Sequence, residues 1–410
     1  MLKFVIIGNG AAGISAAEKL RQLDEDSEIT VVSIEDIPVY TKFMLPDYIG
    51  GKIARDKLIL RDLNYYDKNR IKLMLSERVE SIDSNQKVVK LESGSIIEYD
   101  KLLIAVGGNC VVPNIEGLKE IGYFTLNSVR DADNIIKKAQ KGKKAVIIGA
   151  GLTGIETAFA LKRLGMKVTI LEKGARILPR QLDEQSAQML VEMIKKEDIE
   201  LFLERDIQRF IKDNGFWVEM SKGERIDFDM VVVCIGTKPN VDIVKGLDIK
   251  INRGILVNNC LETSIKDIYA AGDTAELQDN NDVGTVSSYI WPNALLQGKC
   301  AASNMVGQTQ EFSSDGGLSN AVRLRDIPFL SMGMINPVEE DYESLVFCDK
   351  EAKVYRKVVL KDNIIKGLIL LGDTSSANIL SDFVRKGKDI SEIRNILLEK
   401  DFVQKYKSMT

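Results

Sequence analysis

Val5-Ile6-Ile7-Gly8-Asn9-Gly10-Ala11-Ala12-Gly13 is the stretch on which the reading of this chain turns, and it occurs twice. The second copy is Val146-Ile147-Ile148-Gly149-Ala150-Gly151-Leu152-Thr153-Gly154. Each copy begins with an apolar run of β type and passes through G-x-G-x-x-G into a helical pattern, residues 14–20 in the first and 155–164 in the second. A second apolar run then ends in an acid, 29–34 before Glu35 and 168–171 before Glu172. The chain therefore carries two strand–turn–helix–strand units.

Each glycine in such a turn has its own task. The first lets the chain leave the strand sharply, the second lets backbone come close to a pyrophosphate, and the third lets the helix pack tightly on the sheet. Amides at the helix N-terminus face the phosphates, and the helix dipole favours their charge. An acid about 20 residues further on accepts hydrogen bonds from a ribose diol. A single such turn is a weak signal. Two, each between the expected strand and helix and each with its acid, predict a protein that binds two dinucleotides.

At 410 residues the chain is long enough for two or three domains. With 45% hydrophobic and 28% charged residues it has the composition of an ordinary soluble globular protein. A net charge of -4 argues against nucleic acid, whose phosphates call for a basic surface. The opening Met1-Leu2-Lys3-Phe4-Val5-Ile6-Ile7 resembles a signal peptide only as far as Gly8, and the glycine turn accounts for it better. No apolar segment nears the roughly 18 residues of a membrane span, so the expected location is the cytoplasm.

The five cysteines, Cys110, Cys234, Cys260, Cys300 and Cys348, are far apart, with no C-x-x-C, C-x4-C or zinc-type spacing. Scattered thiols of this kind are usually inert. The chain contains no histidine, which removes the usual general base, the usual zinc ligand and any Ser-His or Cys-His pair. No metal site is expected.

Several further stretches carry expectations. Residues 57–70 read as mostly helical, and 79–82 with 88–91 as a hairpin turning at Ser84-Asn85-Gln86. Lys101 through Gly108 reads as a buried strand ending in glycines, where backbone can meet a cofactor. Residues 131–140 read as helix, and Met230-Val231-Val232-Val233-Cys234-Ile235-Gly236 as a second buried strand. Tyr269-Ala270-Ala271-Gly272-Asp273 delivers a carboxylate just after a glycine, either to take hydroxyls from a sugar-like chain or as a plain strand and turn. From Phe312 the composition changes: residues 321–325, 329–334, 345–348, 354–360 and 364–371 read as strands, and 376–386 and 390–399 as helices.

These residues resemble the FAD- and NAD(P)H-dependent pyridine nucleotide-disulfide oxidoreductase superfamily over about residues 1–310. The likeness implies an α/β fold of two Rossmann-like three-layer domains plus a C-terminal α+β domain. The expected boundaries are 1–112 with 242–311 for a discontinuous FAD-binding domain, 113–241 for an NAD-binding domain, and 312–410 for an interface domain. It further implies that Gly8, Gly10, Ala11, Ala12 and Gly13 hold the FAD pyrophosphate and Glu35 its ribose. Val79 joins the FAD contacts, Ala105, Val106 and Gly107 line the flavin, and Gly272 with Asp273 binds the ribityl chain and pyrophosphate. Gly149, Gly151, Leu152, Thr153, Gly154 and Gly236 would hold NAD, with Glu172 on its adenosine ribose. The run from Leu171 through Leu178-Pro179-Arg180 to Asp183 is typical of the group, as is Trp291-Pro292-Asn293-Ala294 followed by Gln297-Gly298, expected over the flavin ring.

Two departures select the branch. The paired cysteines of disulfide reductases are absent, and so is the single cysteine that water-forming oxidases and coenzyme A-disulfide reductases place near Phe43-Met44. No thiol is expected to relay electrons, so the flavin hands them on directly. The loop Tyr40-Thr41-Lys42-Phe43-Met44-Leu45 resembles rubredoxin reductases and the flavin region of nitrite reductase large subunits. Val354-Tyr355-Arg356-Lys357 and the segment from Gly367 to Thr374 resemble the end of that flavin region. No cysteine set for an iron-sulfur cluster or sirohaem is present, so the chain is not expected to be a nitrite reductase by itself.

The implied activity is hydride transfer from NADH to FAD, then electron transfer to a small carrier such as rubredoxin. Glu172 favours NADH, because a carboxylate there repels a 2'-phosphate; Arg176 nearby softens that preference. Glu156 has two readings, a neighbour of the nicotinamide and flavin N5 or an acid favoured near a helix N-terminus. Where many ferredoxin reductases place a lysine to pair with that glutamate, this chain has Asp47. Lys42 is either a partner of FAD phosphate or flavin oxygens or a solvated loop lysine, and Tyr40 and Trp291 either cover the flavin or belong to the core. Two alternatives stay open for the whole: an electron-input subunit of a larger anaerobic complex, and a thiol-independent NADH oxidase producing peroxide. A homodimer through the last domain and a monomer are both compatible with the resemblance.

Overall fold

A computed structural model describes residues 1–221, 223–277, 290–312 and 319–409. The chain divides into two compact units, the first made of Met1–Leu45, Ile53–Val111 and Thr237–Ser313, the second of Pro46–Lys52, Val112–Gly236 and Ser314–Thr410.

The first unit is built on a five-stranded parallel sheet in the order Ile268–Ala270, Lys101–Ile104, Lys3–Ile7, Glu28–Val32, Ile71–Met74. The central strand, Lys3–Ile7, is buried over its last four residues, as a parallel strand covered on both faces must be. From it the chain crosses to Glu28–Val32 on one side and later returns as Lys101–Ile104 on the other. That reversal opens a crevice beyond the carboxyl ends of the strands. The helices Ala11–Leu23 and Trp291–Met305 lie against each other, and Gly298 permits the approach: a Cβ there would meet Ala12 O and Ser15 Oγ, each at 2.2 Å. The strands Val79–Asp83, Val88–Leu91 and Ile96–Glu98 form a small antiparallel sheet containing the expected hairpin.

The second unit repeats the design in a four-stranded parallel sheet ordered Ile199–Phe202, Lys167–Leu171, Lys144–Ile148, Met230–Val233. A five-stranded antiparallel sheet follows in the order Ser319–Leu324, Ile327–Gly333, Ile364–Leu371, Val354–Lys361, Glu343–Asp349. One face of that sheet, with Val358, Leu368 and Leu370, is covered by Leu380, Phe383 and Phe402 from the C-terminal helices. Among the described residues no helix is long and apolar enough to cross a membrane.

Two local expectations fail. Residues 57–70 are not one helix but a single turn, Arg55–Leu58, and a short helix, Leu63–Lys68. Between them Thr41 N donates to Leu58 O at 2.9 Å and Leu60 N to Val39 O at 2.9 Å, so extended pairing interrupts the helix, and Asp62 restarts it by accepting from Tyr65 N. Residues 390–399 form only the tight turn Ser391–Ile396, and the helix Phe402–Met409 was not anticipated.

Candidate functional site

The first glycine turn has the steric signature its spacing predicted. Gly8 sits at φ +109°, and a Cβ on it would lie 2.2 Å from Ala105 O. A Cβ on Gly13 would lie 1.9 Å from Gly8 O, whereas at Gly10 it would meet none of the described residues within 4 Å. Gly8 and Gly13 are thus glycines because the protein fills the space, and Gly10 is glycine where the protein leaves it open. No side chain caps the helix Ala11–Leu23 at Gly10, so its first amides are left for an anion. Asn9 accepts from Tyr66 OH at 2.9 Å through Oδ1, while its Nδ2 is buried with no partner among the described residues. A buried orphan donor costs about 1–3 kcal/mol unless something accepts from it. The residues fit a pyrophosphate-bearing group.

The remaining candidates of this unit gather around the same strand ends. Glu35 Oε1 accepts from Tyr40 OH at 3.1 Å, so the Tyr40 hydroxyl lies beside the expected ribose acid. Val79 opens its strand two residues after Glu77, whose N donates to Ser33 O at 2.9 Å. Ala105 N donates to Ile7 O at 2.8 Å, and Gly107, at φ +68°, accepts from Asn240 N at 3.0 Å. Ala11 and Ala12 are buried at the start of the helix. Gly272, at φ +77°, donates its N–H to Gln297 Oε1 at 2.7 Å, so the helix carrying Trp291 also fixes the turn carrying Asp273. Burial pushes the Asp273 carboxyl above the usual carboxylate range, and the charge of Lys42 opposes this. Phe43 packs edge-on against Trp291 with ring centroids 5.5 Å apart.

The second turn repeats the pattern. A Cβ on Gly149, at φ +102°, would lie 2.5 Å from Cys234 O, and one on Gly154 would lie 2.1 Å from Gly149 O. A Cβ on Gly151 would meet none of the described residues within 4 Å, nor would one on Gly236, which stands at φ +108°. Leu152 and Thr153 are the first two helical residues, and no side chain caps them at Gly151. Glu172 does more than its position foretold: Oε2 accepts from Ala150 N and Oε1 from Gly174 N, both at 2.7 Å. It therefore shapes the turn as well as offering its remaining lone pairs to a diol. Arg176 donates through Nη2 to Pro179 O at 3.3 Å, within its own turn.

Glu156, one turn into the helix Leu152–Arg163, is half-buried, and burial first and the charge of Asp47 second push its carboxyl up to about 8. Lys52 opposes that rise, and its Nζ lies 3.2 Å from Asp47 Oδ1. Sequence reading noted the missing lysine at 47 but not that Lys52 brings a cation back to the same cluster. Among the described residues none of the five cysteines is joined in a disulfide.

Residues 2–298 match the family model described as pyridine nucleotide-disulphide oxidoreductase, and 319–388 match the one described as rubredoxin NAD+ reductase C-terminal domain. The chain is 32% identical over 401 residues to an assimilatory nitrate reductase electron transfer subunit of Bacillus subtilis, covering 97% of this chain and 51% of that protein. It is 32% identical over 394 residues to an NADH-rubredoxin oxidoreductase of Clostridium acetobutylicum, covering 96% and 97%. The crystal structure of the NADH:rubredoxin oxidoreductase from Clostridium acetobutylicum superposes with a TM-score of 0.76 at 29% identity, covering 99% of both chains. The chain spans about half the length of the two Bacillus subtilis relatives it matches, 51% and 48%.

Proposed function

The chain belongs to the pyridine nucleotide-disulphide oxidoreductase family, and on that premise we propose that it is a FAD-dependent oxidoreductase that oxidises NADH and reduces a small redox protein such as rubredoxin. FAD, when bound, supplies the exchange between a two-electron hydride donor and one-electron acceptors. The observation that carries the proposal is the pair of glycine turns, each with its middle glycine open, in a chain whose loop after Glu35 contains no cysteine.

In this reading the first turn, with the orphan Asn9 amide and the uncapped helix, binds the FAD pyrophosphate. Glu35, oriented by Tyr40, takes the adenosine ribose, and Val79 packs alongside. Ala105, Val106 and Gly107 present backbone to the ring, Asp273 orients the ribityl chain, and Lys42 balances negative charge beside it. Trp291, braced by Phe43, shields the ring from water. Gly149, Gly151, Leu152, Thr153, Gly154 and Gly236 receive NADH, with Glu172 selecting it over NADPH by repulsion of a 2'-phosphate. Glu156 is assigned to the reacting end of the dinucleotide, where its carboxyl holds a proton at neutral pH.

The reading is tested by anaerobic reduction with NADH followed by timed reoxidation with rubredoxin, ferredoxin, oxygen and a small disulfide in parallel. Rubredoxin or ferredoxin should be fastest by orders of magnitude. Fastest turnover with the disulfide would overturn the assignment.

A further inference from the structure

Ala150, the residue between the first two glycines of the second turn, is held from both sides. Its N–H donates to Glu172, and its carbonyl accepts from Leu178 N at 3.4 Å. Leu178 is buried and adopts φ +47°, a region that a branched residue enters only when its surroundings impose it. The turn it opens closes on itself, with Gln181 N and Leu182 N both donating to Leu178 O at 2.9 Å. What holds this turn lies at its far end. Asp183 caps the helix Glu184–Lys196 by accepting from Ser186 N at 3.0 Å, and the same carboxylate accepts from Tyr355 OH at 2.5 Å. Lys357 Nζ stands 3.1 Å from the same oxygen. Asn336 Nδ2 adds a bond to Leu182 O at 3.2 Å.

Tyr355 and Lys357 are two apart on the strand Val354–Lys361, so both project to one face of the antiparallel sheet. Tyr355 is 0% exposed, Lys357 8% and Asp183 9%. Burying an ion pair and a phenol is a poor way to gain stability, because desolvation offsets much of the attraction. An apolar trio would hold sheet to helix as well. What the charged trio adds is direction: two donors on one carboxylate oxygen fix where the turn 178–183 ends, and so where Ala150 sits.

We propose that Tyr355, Lys357 and Asn336 are positioning residues for the pyridine nucleotide, acting through Asp183 and Leu178 on the Gly149–Gly151 turn. The proposal rests on the reading of that turn as the NADH site. It makes the C-terminal sheet, with the segment that follows its strand Ile327–Gly333, part of the machinery that sets affinity for the reductant.

The test uses the full-length, FAD-loaded protein. Tyr355→Phe removes one hydroxyl and should raise the KM for NADH about 5- to 20-fold, the scale on which residues away from a ligand modulate its binding, with kcat at saturating NADH and FAD content little changed. Lys357→Met should move KM the same way. Asn336→Ala, which leaves the buried trio intact, should raise KM by a smaller factor and keeps the test decisive if the other two fail to fold. A loss of thermal stability with an unchanged KM in the folded variants would overturn the proposal. Gly154→Val serves as the control: if it leaves NADH binding intact, the site assignment itself has failed and not the coupling.

Discussion

Replacing Glu156 with glutamine tests the electrostatics of the second glycine turn without altering shape. In the folded protein the carboxyl titrates at about 8 against an ordinary value of 4.5, chiefly through burial. Between those two pH values the unfolded chain has released the proton and the folded chain keeps it. Unfolding stability therefore falls as pH rises through this window, since its slope follows protons bound unfolded minus folded. The full separation corresponds to a ceiling of about 5 kcal/mol at 1.36 kcal/mol per pH unit. Water reaches part of this half-buried side chain, so roughly half of that, about 2–3 kcal/mol, is the expected share. Glutamine carries no such slope. Near pH 4.5 wild type and Glu156→Gln should melt together; near pH 9 the variant should be more stable, by roughly 4–12 °C in Tm for a unit of this size. The assay is thermal unfolding across that pH range without pyridine nucleotide, followed by a probe in the second unit. Parallel curves for the two proteins would refute the reasoning, and so would a variant that is less stable at alkaline pH.

Three further outcomes are expected. Gly10→Ala should leave the apoprotein's Tm unchanged, because its Cβ meets no protein atom within 4 Å, while lowering FAD retention at least tenfold; Gly13→Ala should destabilise the fold itself by about 2 kcal/mol or more, as overpacking against backbone does. Flavin absorbance of the purified variants and their melting curves separate the two. Glu172→Ala removes the acceptor for Ala150 N and Gly174 N and should weaken NADH binding by about 10- to 100-fold, with a much smaller effect on NADPH, measured by titration with each nucleotide. Alkylation of the accessible thiols in the folded protein, Cys300 being buried, should leave NADH-to-acceptor turnover within about twofold, read by steady-state rates before and after treatment.

Both glycine turns were legible because the motif recurs, each copy between a strand and a helix and each followed by an acid, and the structure gives the same steric pattern at Gly8, Gly10 and Gly13 and again at Gly149, Gly151 and Gly154. The strands Ile327–Gly333, Val354–Lys361 and Ile364–Leu371 were legible from apolar runs that the antiparallel sheet buries, while Val346 and Phe347 of the strand Glu343–Asp349 stay exposed. What stayed hidden was tertiary. Residues 57–70 have helical composition, yet pairing with Val39 and Thr41 overrides it. Glu172 could be found as a ribose acid from its spacing, but not as the acceptor of Ala150 N, which depends on how the turn folds back. The Asp47–Lys52 pair beside Glu156 and the Tyr355–Asp183 bond, which spans 172 positions, connect residues that no local pattern relates.

The central claim is that NADH reduces a flavin held by this chain and that no thiol carries the electrons onward. The most direct measurement is anaerobic stopped-flow on a variant with all five cysteines replaced by serine or alanine, loaded with FAD, mixed first with NADH and then with oxidised rubredoxin. The account predicts that the yellow protein bleaches on adding NADH and recovers its colour with rubredoxin at rates close to wild type. A protein that takes up no FAD, or a cysteine-free variant that bleaches but no longer passes electrons on, would contradict it.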